Sequence, residues 1–327
     1  MLTNFNRLLK LVLCLLILAV PIFALWQRNA LYDWVRLRGY TPPANIVSLA
    51  NQDTFSAYTK HMFYVNHPEL LNSVQAFRQH CPENEGTIVL GCYHSGQQGI
   101  YIYNVQDPTL AGVQQVTAAH EVLHSIYARL STKDRDYVDG LLEDYYQNDL
   151  HDSRVQAEVK LYQQTEPNDV MDEMHSTFGT EIASLPLPLE KYYQRYFSNR
   201  QSIVAFEQNY QGEFTSRENQ VTADDAQLTA LKQQIDSQEQ SLNQQLAQLN
   251  SDRARLDSLR NSNQIGAYNS AVGSFNSEVS SYNAGVDQLK GNIANYNDLV
   301  DNRNAIAQDL ASLDQAIDTR LTTQTAQ

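Results

Sequence analysis

Two histidines four residues apart, with a glutamate beside the first, occur in the segment AAHEVLHSIYARL, residues 118–130. On a helix, His120 and His124 project from the same face about one turn apart. Neutral imidazole nitrogens at that spacing can share a zinc ion. Glu121 lies roughly 100° round the helix from His120, so it can reach a water at the metal without being a ligand. In a zinc hydrolase, Glu121 would take the proton of that water as the general base.

A second motif lies downstream, where the acidic pair DE falls on a predicted helix at residues 169–184. HEVLH followed by such a pair resembles the gluzincin branch of zinc metallopeptidases, in which a later helical glutamate is the third ligand. The resemblance covers this helix and the one at 113–130, and it departs from the family pattern at position 177, where an Asp is common. It implies a role for each of five residues: ligands His120, His124 and Glu173, general base Glu121, and polar neighbour Thr177.

Other residues compete for two of these roles. Glu181 lies eight residues beyond Glu173 and is the alternative third ligand. His175 is about 200° round the helix from Glu173, so the two side chains do not easily bind one metal. His175 is predicted as a catalytic residue, and the oxyanion could be stabilised by His175, by Tyr127 or by the tyrosine pair 192–193, among which the sequence does not choose.

The elements around the motif predict an α+β fold, a mostly helical zincin-like domain with a small β-sheet over residues 40–205. The β-rich runs GTIVLG (86–91) and GIYIYNV (99–105) are bounded by glycines and predict strands. GIYIYNV comes just before the metal helix, and as an edge strand it could pair with an extended peptide. HPEL (67–70) is interpreted as a helix start.

Residues 206–327 predict an α-helical coiled-coil hairpin. Apolar residues recur in heptads on either side of SNQIG, residues 262–266, which is interpreted as the turn. The first arm carries Leu228, Ile235, Leu242, Leu249 and Leu256. The pattern leaves open whether the arms pair with each other or whether the coil binds a partner or a second copy of the chain.

Residues 1–39 predict an N-terminal membrane anchor with a juxtamembrane segment. Arg7 and Lys10 precede an apolar run of 16 residues at 11–26, close to the roughly 20 that span a bilayer. We expect a single-pass transmembrane helix, and a cleaved signal peptide of a secreted protein is the alternative.

Cys81 and Cys92 are the cysteines that lie outside the apolar run, which holds Cys14. They flank a predicted turn and strand that could bring them together, so they are a candidate disulfide, with two free thiols as the alternative. A disulfide across this short loop would stabilise the fold by roughly 2–3 kcal/mol. It would also indicate an oxidising compartment, so the body of the protein is expected outside the cytoplasm.

Charge and histidine distribution narrow the class of function. The formal net charge of −14 argues against binding nucleic acid. All eight histidines lie between His61 and His175, so histidine chemistry belongs to residues 40–205. The sequence predicts a membrane-anchored, extracytoplasmic metallopeptidase with Zn²⁺ as cofactor and a peptide or protein as substrate. The alternative is a non-catalytic envelope scaffold that acts through its coil and has a structural or vestigial metal site.

Overall fold

A computed structural model describes residues 27–82 and 88–320. The chain divides into two compact units, one of Met1–Gln211 with Ala316–Gln327 and the other of Gly212–Gln315. The predicted transmembrane helix at residues 11–26 lies outside the described residues. Within the described ranges, no helix combines the length and the apolar character needed to cross a bilayer.

The described part of the chain is mostly helical with one small sheet, so the predicted α+β class is confirmed at that level. The helices are α1 Arg28–Leu37, α2 Ala44–Gln52, α3 Ala57–Val65, α4 Val74–His80, α5 Val113–Tyr127, α6 Thr132–Asn148, α7 Ser153–Thr165, α8 Val170–Glu181, α9 Leu187–Tyr193, α10 Arg200–Asn261 and α11 Ile265–Ile317. The strands are β1 Glu69–Leu71, β2 Gly91–His94 and β3 Gly99–Tyr103. The predicted metal helix corresponds to α5, and the helix that carries the acidic pair corresponds to α8.

The sheet has the strand order β1-β3-β2, with β1 parallel and β2 antiparallel to β3. The strand predicted at 99–105 is therefore present, but it is the central strand, and its prediction as an edge strand is wrong. The strand predicted at 86–91 is also misplaced, since β2 begins only at Gly91, opposite Ile102 of β3. Among the described strands, β2 has β3 as its one partner.

The helix start predicted at HPEL is wrong, because the segment leads into a strand. His67 has a φ of 46°, in the left-handed region, which turns the chain before β1. Glu69 then pairs with Tyr101, and Leu71 pairs with Tyr103. A proline before an apolar pair is a helix-start signal, but here pairing with a distant strand prevails over it.

Helix α5 runs through the core of its unit, which fixes the direction of its polar face. Val122, Leu123 and Ile126 have no exposed surface. The contact with α8 is close at Gly179, where an added Cβ would lie 2.6 Å from Leu123 Cδ1. Since real side chains do not approach that closely, the absence of a side chain at Gly179 lets α8 lie against the metal helix.

A disulfide joins Cys81, just after α4, to Cys92 in β2, with the Cα atoms 5.9 Å apart. Nearby, the end of the chain packs into the same unit. Arg78 donates from Nε to the carbonyl of Thr319 at 2.6 Å, and the Thr319 hydroxyl donates to the carbonyl of Val89 at 2.7 Å. The segment that leads into β2 is thus held by a covalent bond and by the C-terminal tail.

The coiled-coil unit consists of two arms that pair with each other. The heptad pattern had left this pairing open. Asn263, with a φ of 56°, turns the chain between α10 and α11. Across the arms, Gln238 donates to the carbonyl of Gly285 at 3.3 Å, and Asn292 donates to Gln238 at 2.8 Å. Leu242 packs over Gly285, where a Cβ would lie 2.9 Å from its Cδ2.

Asp53, which follows α2, is buried without a partner. The residue has no exposed surface, and neither carboxylate oxygen makes a hydrogen bond within the described residues. Burial in these surroundings raises the pKa of Asp53 well above 3.8. The folded state therefore binds a proton more tightly than the unfolded state does.

Asp53→Asn is expected to stabilise the protein at neutral pH. Because the folded pKa of Asp53 exceeds its unfolded value, stability falls as pH rises from about 4 to the folded pKa. Asn stays neutral throughout, so the variant should lack this slope and gain about 1–3 kcal/mol at pH 7. Urea unfolding at several pH values would measure the free energy of unfolding of both proteins. Asp136→Asn, at an exposed residue, is the control. Equal pH slopes for the wild type and the Asp53→Asn variant would contradict the prediction.

Candidate metal centre

The polar face of α5 carries the two histidines into a partly open site. The rings of His120 and His124 have their centroids 4.8 Å apart. Their side chains are 17% and 12% exposed, so solvent reaches both. Helical spacing four residues apart produces this arrangement directly.

Helix α8 places Glu173 against both histidines. Its Oε2 lies 3.5 Å from Nε2 of His120, and its Oε1 lies 3.6 Å from Nε2 of His124. One ligand atom from each of the three residues lies within 4.8 Å of the others. The structure thus brings together the three residues that the gluzincin resemblance assigns as metal ligands.

The distances from Glu173 to the two histidines approach those at a zinc ion, whereas the group as a whole spans up to 4.8 Å. Ligand atoms at about 2.0–2.1 Å from a tetrahedral zinc lie about 3.3 Å from one another. The two distances to Glu173 exceed that value by only a few tenths of an ångström. Two imidazoles and one carboxylate are also a ligand set of catalytic zinc sites, which keep the fourth position open.

The charges of the three residues are coupled. Burial lowers the pKa of His120, but the hydrogen bond with Glu173 and the charges of Glu121 and Glu173 together raise it above 6.5. Burial also acts against a charged His124, yet the carboxylates of Glu173 and Asp172 raise its pKa well above 6.5. Burial alone would raise the pKa of Glu173, and the two histidines hold it below its usual value. The Glu173 carboxylate therefore remains charged beside the two histidines.

Asp172 orients one of the ligands, a role that the sequence interpretation missed. Its Oδ1 lies 2.9 Å from Nδ1 of His124. With Nδ1 bonded to a carboxylate, His124 presents Nε2 toward Glu173, the arrangement that metal-binding histidines commonly have. The signal was the acidic pair itself, but adjacent helical residues differ by about 100° in direction. Sequence alone did not show that both would face α5.

Asp172→Asn is expected to lower zinc affinity by about 10- to 100-fold, because the amide is a weaker acceptor and leaves the orientation of His124 less fixed. Competition with a chromophoric chelator would measure the affinity. Asp169→Asn, at the residue before α8, is a matched control that should bind zinc as the wild type does. Wild-type affinity in the Asp172→Asn variant would contradict the assigned role.

Glu121 lies beside the edge strand β2. The residue is only 6% exposed, and a Cβ added to Gly91 would lie 2.6 Å from its Oε1. The missing side chain at Gly91 therefore lets the strand backbone approach the carboxylate. Thr117, one turn before Glu121, fills the other side of this contact, with its Cγ2 2.5 Å from the same added Cβ.

Tyr162 of α7 is a second residue that the sequence interpretation missed. Its hydroxyl donates to Oε1 of Glu158 at 3.1 Å. A hydrogen bond with Tyr162 also contributes to the low pKa of Glu173. Burial, with the charge of Glu181 next, raises the pKa of Glu158 to about 7. A tyrosine at this spacing on an ordinary amphipathic helix carries no sequence signal for a role at the site.

Glu181, the alternative third ligand, does not join the histidines. Its Oε2 accepts from Nη1 of Arg154 at 2.7 Å, and Arg154 also donates to Oε1 of Glu207 at 2.9 Å. Glu181 is outside the three-residue group that could hold a metal. Its charge is used in an ion-pair network on another part of α8.

The predicted catalytic role of His175 is wrong for this structure. The residue has no exposed surface, and its Nε2 lies 2.9 Å from the hydroxyl of Tyr192. Burial lowers the pKa of His175 well below 6.5, so it is neutral. The alternative donors are engaged as well, since Tyr193 donates to the carbonyl of His175 and Tyr127 donates to Asp139. These rings pack against one another in the interior of the unit.

Comparison with protein families, with curated proteins and with solved structures finds no match for this chain. The class of the site therefore rests on its own geometry: two histidines and a glutamate around one position, with a second glutamate beside an edge strand.

Proposed function

We propose that this protein is a membrane-anchored, extracytoplasmic zinc metallopeptidase. The observation that carries the proposal is the convergence of His120, His124 and Glu173 from two separate helices, with Glu121 on the same helix as the histidines. A structural metal site has no need of a glutamate at that position, whereas hydrolysis requires a base there.

In this proposal, different residues of the chain bind the metal, orient a ligand and transfer the proton. His120, His124 and Glu173 would hold the metal, and Asp172 fixes the ring of His124. When bound, zinc supplies a Lewis acid that activates water and polarises the carbonyl to be cleaved. Glu121 accepts a proton from the attacking water and passes it to the leaving amine, so the amine departs neutral. The low exposure of Glu121 limits competing solvent around this proton transfer.

One edge of β2 pairs with no described strand, and this edge supports an extended peptide as substrate. A peptide added to this edge would form main-chain hydrogen bonds, which hold many sequences without demanding particular side chains. It would also pass close to Gly91, the residue whose backbone lies against Glu121. A peptide paired with β2 would therefore lie close to Glu121, the proposed general base.

The location outside the cytoplasm is supported by the disulfide between Cys81 and Cys92, since structural disulfides persist in oxidising compartments. The apolar run at residues 11–26 supports attachment to a membrane.

Metal removal tests the proposal. The full chain, purified in detergent without added metal, is expected to contain about one zinc per chain and to cleave an unfolded protein such as casein. A chelator should abolish cleavage, and Zn²⁺ added in slight excess should restore it. A purified chain that neither contains nor binds zinc would overturn the proposal. Zinc binding without cleavage of any unfolded protein would favour the scaffold alternative.

A further inference from the structure

Helix α1 turns its apolar side toward solvent, the reverse of what a surface helix normally does. Leu31, Trp34 and Val35 are 49%, 61% and 63% exposed. Their positions i, i+3 and i+4 put them on one face of the helix. Arg38, one turn further on, lies on the same face, with its guanidinium 5.2 Å from the centre of the Trp34 ring.

The side of α1 that faces the protein is polar and well bonded. Asp33, only 7% exposed, accepts hydrogen bonds from Nη1 and Nη2 of Arg129 at 2.8 and 2.5 Å. The same carboxylate lies 2.8 Å from Nε2 of His61. Arg36 donates to the carbonyl of Val65 at 3.1 Å. Because these bonds fix the rotation of α1, the apolar face does not turn inward.

This arrangement matches a helix that lies in the headgroup region of a bilayer. Such helices bury Trp and Leu at the boundary of the acyl chains, while flanking arginines contact anionic headgroups. Arg28 and Arg38 are exposed near the two ends of α1, in a chain whose net charge is −14. The one acidic residue of α1, Asp33, is paired with Arg129.

The chain that precedes α1 points to the same occupant. The apolar run at residues 11–26 ends two residues before the first residue of α1. A segment that enters a bilayer there leaves α1 at the membrane surface. We propose that the face formed by Leu31, Trp34, Val35 and Arg38 is a docking surface for an anionic phospholipid bilayer. The inference rests on the membrane attachment in the proposed function, and it is independent of zinc binding and hydrolysis.

Docking at this face would also orient the metal helix. Arg129, which holds Asp33, lies two residues beyond the end of α5 and five beyond His124. The ion pair therefore connects the membrane-facing helix to the element that carries both histidine ligands, so the bilayer would set the direction in which α5 lies.

Tryptophan fluorescence of the full chain in vesicles tests the proposal. The sequence has two tryptophans, so Trp26→Phe leaves Trp34 as the single reporter. The variant is reconstituted in vesicles of phosphatidylcholine with phosphatidylglycerol. There, Trp34 is expected to emit at a shorter wavelength than a fully exposed tryptophan does in water. It should lose most of its emission when the lipids carry bromine on the upper acyl chain, and it should resist quenching by acrylamide.

Variants separate docking from mere nearness to the membrane. Leu31→Ser with Val35→Ser, in the Trp26→Phe background, should weaken quenching by the brominated lipid. Leu187→Ser, at a residue that is 64% exposed on α9, is the matched control and should leave it unchanged. Equal quenching in the Leu31→Ser, Val35→Ser variant and in the Leu187→Ser control would overturn the proposal. The quenching would then be explained by the nearness of Trp34 to the membrane alone.

Two further outcomes would also overturn it. A blue-shifted Trp34 that brominated lipid does not quench would indicate that protein, such as a second copy of the chain, covers the face. Equal quenching in pure phosphatidylcholine vesicles would remove the role of the arginines. Zinc content is measured in the same samples and should be identical in all variants, so a failure here is distinct from a failure of the metallopeptidase proposal.

Discussion

Glu121→Gln is expected to lower the rate of peptide hydrolysis by about a thousandfold, the middle of the range for losing a positioned general base. Gln has the same shape, so it fits the buried position beside Gly91. It cannot accept the proton of the attacking water, however. The proposed metal ligands, His120, His124 and Glu173, do not change, so the zinc content should stay that of the wild type.

The comparison requires kcat and zinc content from the same preparation of the full chain. Glu143→Gln is the matched control, because this exposed glutamate lies on α6, away from the three-residue group. It should retain wild-type kcat. If the Glu121→Gln variant keeps both its zinc and its rate, Glu121 is not the base. If it loses its zinc as well, the residue has a structural role that the proposal does not include.

The metal helix was predictable from sequence because its information is local. A spacing of four residues on a helix fixes the direction of both histidines, whatever the rest of the fold does. Glu173 was harder, since its position depends on how α8 packs. That packing depends on contacts between the helices, among them the one at Gly179, which lets Leu123 come close. The gluzincin resemblance supplied the choice between Glu173 and Glu181 before any packing was known.

The errors arose where long-range contacts decide. The apolar run at 86–91 has the composition of a strand, but β2 begins at Gly91, where the disulfide at Cys92 and the contact with Glu121 hold the chain. Pairing of residues 69–71 with β3 likewise prevailed over the proline signal at 67–70. His175 was chosen for its residue type, and only the packing of α8 shows that it faces the tyrosine interior.

The partner of Asp33 in α1 is another feature that the sequence could not predict. Tyr32 and Trp34 are residue types typical of a membrane interface, and Asp33 lies between them in the sequence. The structure places Asp33 on the opposite side, bonded to Arg129 nearly a hundred residues later in the chain. Only the fold shows that Arg129 pairs with this charge, and that the apolar face of α1 is therefore turned toward solvent.

Removing the third ligand is the other change with a large expected effect. Glu173→Gln should lower zinc affinity by more than about 100-fold, beyond the loss typical of changes around a ligand. A neutral amide is a poor zinc ligand, so the ion would be held by His120 and His124 alone. Affinity measured by chelator competition, with zinc per chain after dialysis, would show the effect.

Glu181→Gln provides the matched control, because it makes the same chemical change on the same helix. Glu181 pairs with Arg154 rather than with the histidines, so this variant should keep its zinc and its affinity. Thermal unfolding of both variants distinguishes a lost ligand from a lost fold: Glu173→Gln should remain folded and metal-poor. The reverse result, zinc lost in Glu181→Gln and kept in Glu173→Gln, would mean that α8 presents a different face to the metal. The assignments of Asp172 and Glu173 would then fail together, because both depend on that one orientation of the helix.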